Sequence, residues 1–303
     1  MGKEYFLYEK DAQKRIAWIT FNRPEKHNVV LGEDGPHFVP LLREIEQDDD
    51  VKVLILRGAG EHFGVGADIM SLGPDTVGFS RDPKAPPPTV RKRLIMERRM
   101  AHDAVNPASL STIFHFCKPC IAQVQGYCYG WHFQVAAGVD IVIASEEALF
   151  THPAFRYILE AWPMTVLMDT MGVKRAAELL FTGRAFTAWE MERCGFVNRV
   201  VPRDKLEEEV LELASVIALQ PLDMLVVAKH YLETLRAVRN DLYAPNLIGC
   251  MAHMLSTYMK LEPGDYSVLR ETTKMGARGA IREREARYPP KYRLGYAGRA
   301  AKE

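Results

Sequence analysis

The sequence predicts an α/β fold in which strand, strand and helix recur, followed by a C-terminal helical region. Three observations carry this expectation. Ile16-Ala17-Trp18-Ile19-Thr20-Phe21 alternates like a half-buried strand and stops at Asn22-Arg23-Pro24, a turn signal. Val51 to Arg57 is a nearly continuous apolar run, the pattern of a strand covered on both faces. Between them, Phe38 to Gln47 carries apolar residues at helical spacing, with Pro40 tolerated only if it lies in the first turn.

The same reading continues along the chain. Gly58, Gly60, Gly64 and Gly66 follow the second strand, so the backbone there can turn tightly or approach a ligand. From Ser71 to Pro88 the composition shifts to Gly, Pro, Asp and Ser, which predicts a lid or surface loop, and a basic helix is expected from Arg91 to Arg99. Strands are predicted at 121–125, 140–144 and 148–150. Thr187-Ala188-Trp189-Glu190 is a capping box opening a short helix that ends at Gly195. A strand from Phe196 to Val201 and a helix from Lys205 to Leu219 come next, then helices to the end. Residues 1–205 are read as the core and 206–303 as the helical region and extension. The basic end, with Arg278, Arg282, Arg284 and Arg287 interleaved with Glu283 and Glu285, reads as a solvated helix face.

Composition narrows the function. Of 303 residues, 48% are hydrophobic and 26% charged, enough for one large core. Thirty-nine basic and 39 acidic residues cancel, so no global field draws in nucleic acid or an anionic membrane, and any anion recognition must be local. The N-terminal residues lack the apolar core of a signal peptide and no apolar run reaches membrane-spanning length, which leads to the expectation of a cytoplasmic protein. Five cysteines do not make a disulfide framework. Cys117-Lys118-Pro119-Cys120 runs straight into a strand pattern, whereas a redox pair opens a helix, so it reads as structural. The histidines and cysteines show no zinc spacing, and there is no phosphate loop, dinucleotide fingerprint or nucleophile elbow.

Four blocks then stand in order: Asn22-Arg23-Pro24-Glu25-Lys26-His27-Asn28, Phe63-Gly64-Val65-Gly66-Ala67-Asp68-Ile69, Lys118-Pro119-Cys120-Ile121-Ala122-Gln123-Val124-Gln125-Gly126-Tyr127, and Phe181-Thr182-Gly183-Arg184. Together they resemble the crotonase (enoyl-CoA hydratase/isomerase) superfamily over residues 5 to 235. The resemblance implies a crotonase-like ββα superhelix, a homotrimer or homohexamer, an acyl-CoA thioester substrate, and neither metal nor cofactor beyond the coenzyme A of the substrate. It also implies an oxyanion hole of two main-chain N–H groups, on Ala67 in Gly66-Ala67-Asp68 and on Trp131 after Gly130. Fixed amide dipoles suit this work because they stabilise a developing enolate oxygen without reorganising. Lys26 and Asn28 fall where the family wraps the adenine end of coenzyme A. The basic residue often found two positions after the Asp is Met70 here, so phosphate contacts are expected elsewhere, from Arg91 to Arg99.

The sequence departs from the family where its hydratases carry two glutamates. Gln134 stands at the first position and Ala154 at the second, and neither an amide nor a methyl can shuttle a proton. Replacements are sought in Glu160, in the loop where dienoyl-isomerising and dehalogenating relatives place an aspartate, and in His132 and His152, each of which can equally be a structural hydrogen-bonding group. Tyr243 resembles the substrate-binding tyrosine of hydroxycinnamoyl-CoA hydratase-lyases, or is a packed aromatic. Trp131, Trp162, Phe155 and Tyr157 with the long lid suggest a bulky acyl group. Hydration, isomerisation or a related lyase step is the leading expectation. Hydrolysis of a cyclic β-diketone or β-keto thioester, and a non-catalytic thioester-binding or RNA-touching scaffold, are the alternatives.

Overall fold

The computed structural model describes residues 5–31, 33–68, 112–156, 164–238 and 265–294. The expected lid, the expected basic helix, Glu160, Trp162 and Tyr243 lie outside these residues. In chain order the elements are β1 (Phe6–Asp11), β2 (Ile16–Phe21), α1 (Gly35–Gln47), β3 (Val53–Gly58), β4 (Cys120–Val124), β5 (Tyr127–Tyr129), α2 (Trp131–Gly138), β6 (Ile141–Ser145), β7 (Leu149–Thr151), α3 (Met164–Thr182), β8 (Phe186–Thr187), α4 (Ala188–Arg193), β9 (Arg199–Val201), α5 (Leu206–Ala218), α6 (Leu222–Val238) and α7 (Val268–Ala286).

Six strands form one sheet in the order β1-β2-β3-β4-β6-β9, and β5-β7-β8 form a second. β1 and β2 pair antiparallel, while β2, β3, β4, β6 and β9 run parallel. Side chains alternate across a strand, and the large sheet uses both faces. Ile16, Val53, Ile55, Ile121 and Ile143 pack against Leu206, Val210 and Ala214 of α5. Ala17, Ile19, Leu54, Leu56, Ala122, Val142 and Ala144 face the larger core together with Phe133, Phe150 and Phe186. That burial on both sides explains the unbroken apolar run of β3. No single described helix is long and apolar enough to cross a membrane.

Two expectations about local structure are corrected. α1 begins at Gly35 with a proline in its opening turn, so Pro40 lies inside the helix rather than in its first turn. Pro40 has no amide to give the residue 36 carbonyl, and the helix start is held from outside by Asp34, which accepts from Leu31 N at 2.6 Å and pairs with Arg23 at 2.8 Å. The predicted strand from Phe196 reduces to Arg199–Val201, because Phe196 N and Val197 N both turn back to Met191 O to close α4. The capping box is present as expected: Glu190 N donates to Thr187 Oγ1 and Thr187 N donates to Glu190 Oε2. Cys120 opens a buried strand and is a free thiol, in line with the structural reading of the cysteine pair.

The basic C-terminal segment is not wholly a solvated face. Arg284 is buried, and Glu285 reaches Arg156, whose side chain is 1% exposed, at 2.9 and 3.2 Å. Arg156 also donates to Thr182 O and Tyr292 O, and its guanidinium lies 4.0 Å from the Tyr288 ring centroid. This one side chain therefore fastens α7 to the turn that follows β7. Removing one partner of a buried pair leaves the other uncompensated, so Arg156→Met is expected to cost about 3 kcal/mol. Hydrogen exchange should show the loss first as faster exchange across 268–286, and unchanged protection there would refute the fastening role.

Candidate functional site

Two glycine bends meet at the edge between the sheets. The first follows β3, where Gly64 N donates to Tyr127 O at 2.8 Å and Tyr129 N donates to Gly64 O at 2.9 Å. It then runs beside Val30, whose N–H donates to Gly66 O at 2.9 Å and whose carbonyl accepts from Asp68 N at 2.9 Å. The second bend joins β5 to α2: Gly130 N donates to Thr151 O at 3.0 Å, and Gly130 O accepts from Gln134 N at 3.1 Å. Gly66 and Gly130 have φ of +90° and +58°, a region that disfavours side chains. Their backbones touch, since a Cβ on Gly66 would lie 3.0 Å from Gly130 Cα and 3.1 Å from Trp131 N.

Ala67 is exposed at this junction and Trp131 half-buried. Among the described residues, neither the Ala67 N–H nor the Trp131 N–H donates a hydrogen bond. A helix start leaves such donors unused by construction. Gly66 and Gly130 have their own N–H and C=O groups engaged inside the protein and form the bends.

His132 is corrected. The ring is fully buried, edge-on to Phe21 at 4.9 Å and to Phe63 at 5.9 Å, and it rests against Gly64, where a Cβ would come within 2.3 Å of it. Gly66 N–H donates to Nδ1 at 2.9 Å, and Nε2 lies 2.9 Å from the Tyr5 hydroxyl, which donates to Asn28 O at 2.7 Å. An amide only donates, so Nδ1 is the acceptor and Nε2 carries the proton. With both nitrogens committed and burial pushing the ring's pKa down to about 3, it is a neutral structural group and not a proton carrier at neutral pH. Tyr5 had no signal in the sequence, for its partner lies 127 positions away.

Asn28 receives a different job from the expected one. It is fully buried, its Oδ1 accepts from Arg23 N, and its Nδ2 donates to Ala59 O and His62 O, so its side chain braces the loop and offers nothing to a ligand. Lys26 stays exposed at the end of a single helical turn, Pro24–Lys26. The Trp131 indole packs on Phe38 and Phe21 at 5.3 and 5.7 Å and is half-buried against the core. Gln134 and His152 do come together. Both are buried, Gln134 Nε2 lies 3.1 Å from His152 Nε2, and they stand one turn into α2 and directly after β7, on either side of the Gly130 to Thr151 hydrogen bond. Ala154 is buried in the next turn. No group of three or more metal-binding side chains occurs among the described residues.

A profile of the enoyl-CoA hydratase/isomerase family matches residues 11–85 and 96–245. Mevalonyl-coenzyme A hydratase of Aspergillus fumigatus is 32% identical over 206 residues, covering 67% of this chain and 69% of that protein. Hydroxycinnamoyl-CoA hydratase-lyase of Pseudomonas fluorescens is 28% identical over 217 residues, covering 71% and 74%. Among solved structures, an enoyl-CoA hydratase/isomerase from Xanthobacter autotrophicus Py2 superposes with a TM-score of 0.79 at 26% identity, over 94% of this chain and 98% of that one. A probable enoyl-CoA hydratase from Mycobacterium thermoresistibile does so with a TM-score of 0.71 at 32% identity, over 83% and 94%.

The buried imidazole has a consequence for acid stability. In the unfolded chain it takes up a proton near pH 6.5, whereas the folded chain holds it neutral down to about pH 3, so below pH 6.5 the unfolded state binds more protons and stability falls with pH. Between pH 7 and pH 5 this one ring should cost roughly 2 kcal/mol. Urea unfolding of the protein and of His132→Asn at the two pH values should show a shallower loss in the variant, and equal slopes would contradict the burial of a neutral ring.

Proposed function

The chain belongs to the enoyl-CoA hydratase/isomerase family and is an enoyl-CoA hydratase-like enzyme, and on that premise we propose that it moves a proton at the carbon next to a coenzyme A thioester carbonyl. The observation that carries the reading is the contact of the Gly66 and Gly130 bends, with the Ala67 and Trp131 N–H groups donating to no other described residue. A thioester oxygen set between those amides takes up negative charge as its enolate forms, and the amides answer that charge at no cost of reorganisation. Water addition then places hydroxide on the β-carbon of a 2-enoyl thioester and a proton on the α-carbon, and the reverse removes both.

The family's two glutamate positions hold Gln134 and Ala154, so the proton must travel by another group. His152 is the described side chain best placed for it, because it adjoins the Trp131 bend and meets Gln134 at Nε2. A carboxamide can turn either its NH2 or its oxygen to a ring nitrogen, so Gln134 can face imidazole and imidazolium alike while carrying no proton itself. Exposed Lys26 supports a contact to the nucleotide end of coenzyme A. The same reading includes a trimer or hexamer, supported by the exposed apolar row Met224, Val227, Tyr231 and Leu235 on α6.

Turnover should be measured against a panel of 2-enoyl- and 3-hydroxyacyl-CoA thioesters, with free coenzyme A as competitor. Turnover of at least one thioester, inhibited by free coenzyme A, is the expected result, and a panel that is neither bound nor converted would overturn the reading. His152→Gln should lower kcat at least ~100-fold, the low end for lost acid–base catalysis. If Glu160→Gln does so while His152→Gln does not, the proton belongs to Glu160.

A further inference from the structure

We propose that His132 is the positioning residue of this site, fastening the bend that carries the Ala67 amide to the helix start that carries the Trp131 amide. The inference rests on reading those two amides as the oxyanion donors. Gly66 has no side chain to restrain it and sits at φ +90°, so the direction of the peptide unit after it depends on what holds its two flanking planes. The Gly66 carbonyl and the Ala67 N–H belong to one planar trans peptide and point opposite ways. Val30 N–H holds that carbonyl at 2.9 Å and so aims the Ala67 N–H away from Val30. Among the described residues, the preceding plane is held by Gly66 N–H donating to His132 Nδ1 at 2.9 Å.

His132 is the residue after Trp131, within the first turn of α2. The helix start that presents the second amide therefore also carries the ring that fixes the first. Beyond the ring the chain of donors continues without a gap, from Nε2–H to the Tyr5 hydroxyl and from that hydroxyl to Asn28 O. Asn28 is itself fixed to Arg23, Ala59 and His62. Phe21 and Phe63 exclude water around the ring, which makes each of these hydrogen bonds costly to lose. The ring can lie there because Gly64 leaves room for it.

Two substitutions separate the two ends of the ring. In His132→Asn the side-chain oxygen can reach the place of Nδ1 and keep the Gly66 N–H, while the link to Tyr5 is lost. In His132→Gln the amide reaches the place of Nε2 and keeps Tyr5, while Gly66 is released. Each variant is read by difference infrared spectroscopy of bound butyryl-CoA carrying carbon-13 at the thioester carbonyl, and by kcat and KM for crotonyl-CoA. The wild type should show the carbonyl band displaced to lower frequency. His132→Gln should lose that displacement and about 100-fold in kcat with KM within ~3-fold, the pattern of a transition-state contact. His132→Asn should keep the displacement and stay within ~10-fold in kcat. Retention of the displacement in His132→Gln, or equal losses in both variants, overturns the positioning role. If neither variant folds, Tyr5→Phe removes only the link that His132→Asn removes, so the displacement should stay and kcat should remain within ~10-fold, and loss of the displacement there overturns the assignment of the amide's direction to the Gly66 contact. A wild type with no displacement at all refutes the oxyanion reading itself and is thereby distinguished from a failure of His132.

Discussion

Everything at this site depends on how closely two backbones can approach. A main-chain receptor for an oxygen needs two amides from separate parts of the chain to come within a few ångströms, and side chains at the contact would hold them apart. Gly66 and Gly130 allow such an approach, for a Cβ on either would crowd the other's Cα, at 3.0 and 3.2 Å. The large parallel sheet delivers the first bend from the end of β3, and the small sheet delivers the second from the end of β5. The Gly64 to Cys128 bridge ties the two deliveries together before either bend begins.

Closeness alone would leave a soft site, because glycine is the residue least able to hold its own conformation. The surroundings supply what glycine lacks. Val30 grips one plane, Thr151 grips the second bend, and a buried imidazole links bend to helix. Around that imidazole every donor meets an acceptor, from Gly66 to Tyr5 to Asn28, so a polar ring sits inside an aromatic shell without an unpaired atom. Two lysines do similar service at the periphery. Lys118 is buried and donates to Ile45 O and Asp48 O at the end of α1, and Lys52 donates to Ala218 O and Gln220 O at the end of α5.

What the sequence disclosed and what it withheld divide along sequence distance. The strands from Ile16 and Val51 and the Thr187 capping box were legible because their signals lie within a few residues. The glycine bends were legible too, but only as members of four blocks in register. Pro40 was misplaced because the start of α1 is fixed by Arg23 and Asp34, outside the helix itself. Arg156 and Glu285 gave no sign of their pairing across 129 positions. His132 stayed open between proton carrier and structural group, and Asn28 was set beside the ligand, for one shared reason: imidazole and carboxamide look chemically able in a list of residues, and only burial and fully committed partners reveal them as braces. Trp131 shows the converse, for its indole packs on the core while its N–H donates to no other described residue.

The fit of the imidazole against Gly64 sets a rule for how this protein can drift. A methyl at position 64 would occupy the volume now filled by the ring at 132, so each position limits what the other can become. A lineage that shrinks residue 132 gains freedom at 64 but forfeits the anchor of its first amide. A lineage that keeps the imidazole is bound to glycine. The two positions, 68 apart in the chain and on different elements, should therefore change as a pair or not at all across descendants of this sequence, leaving a covariation signature that marks the branch using this brace.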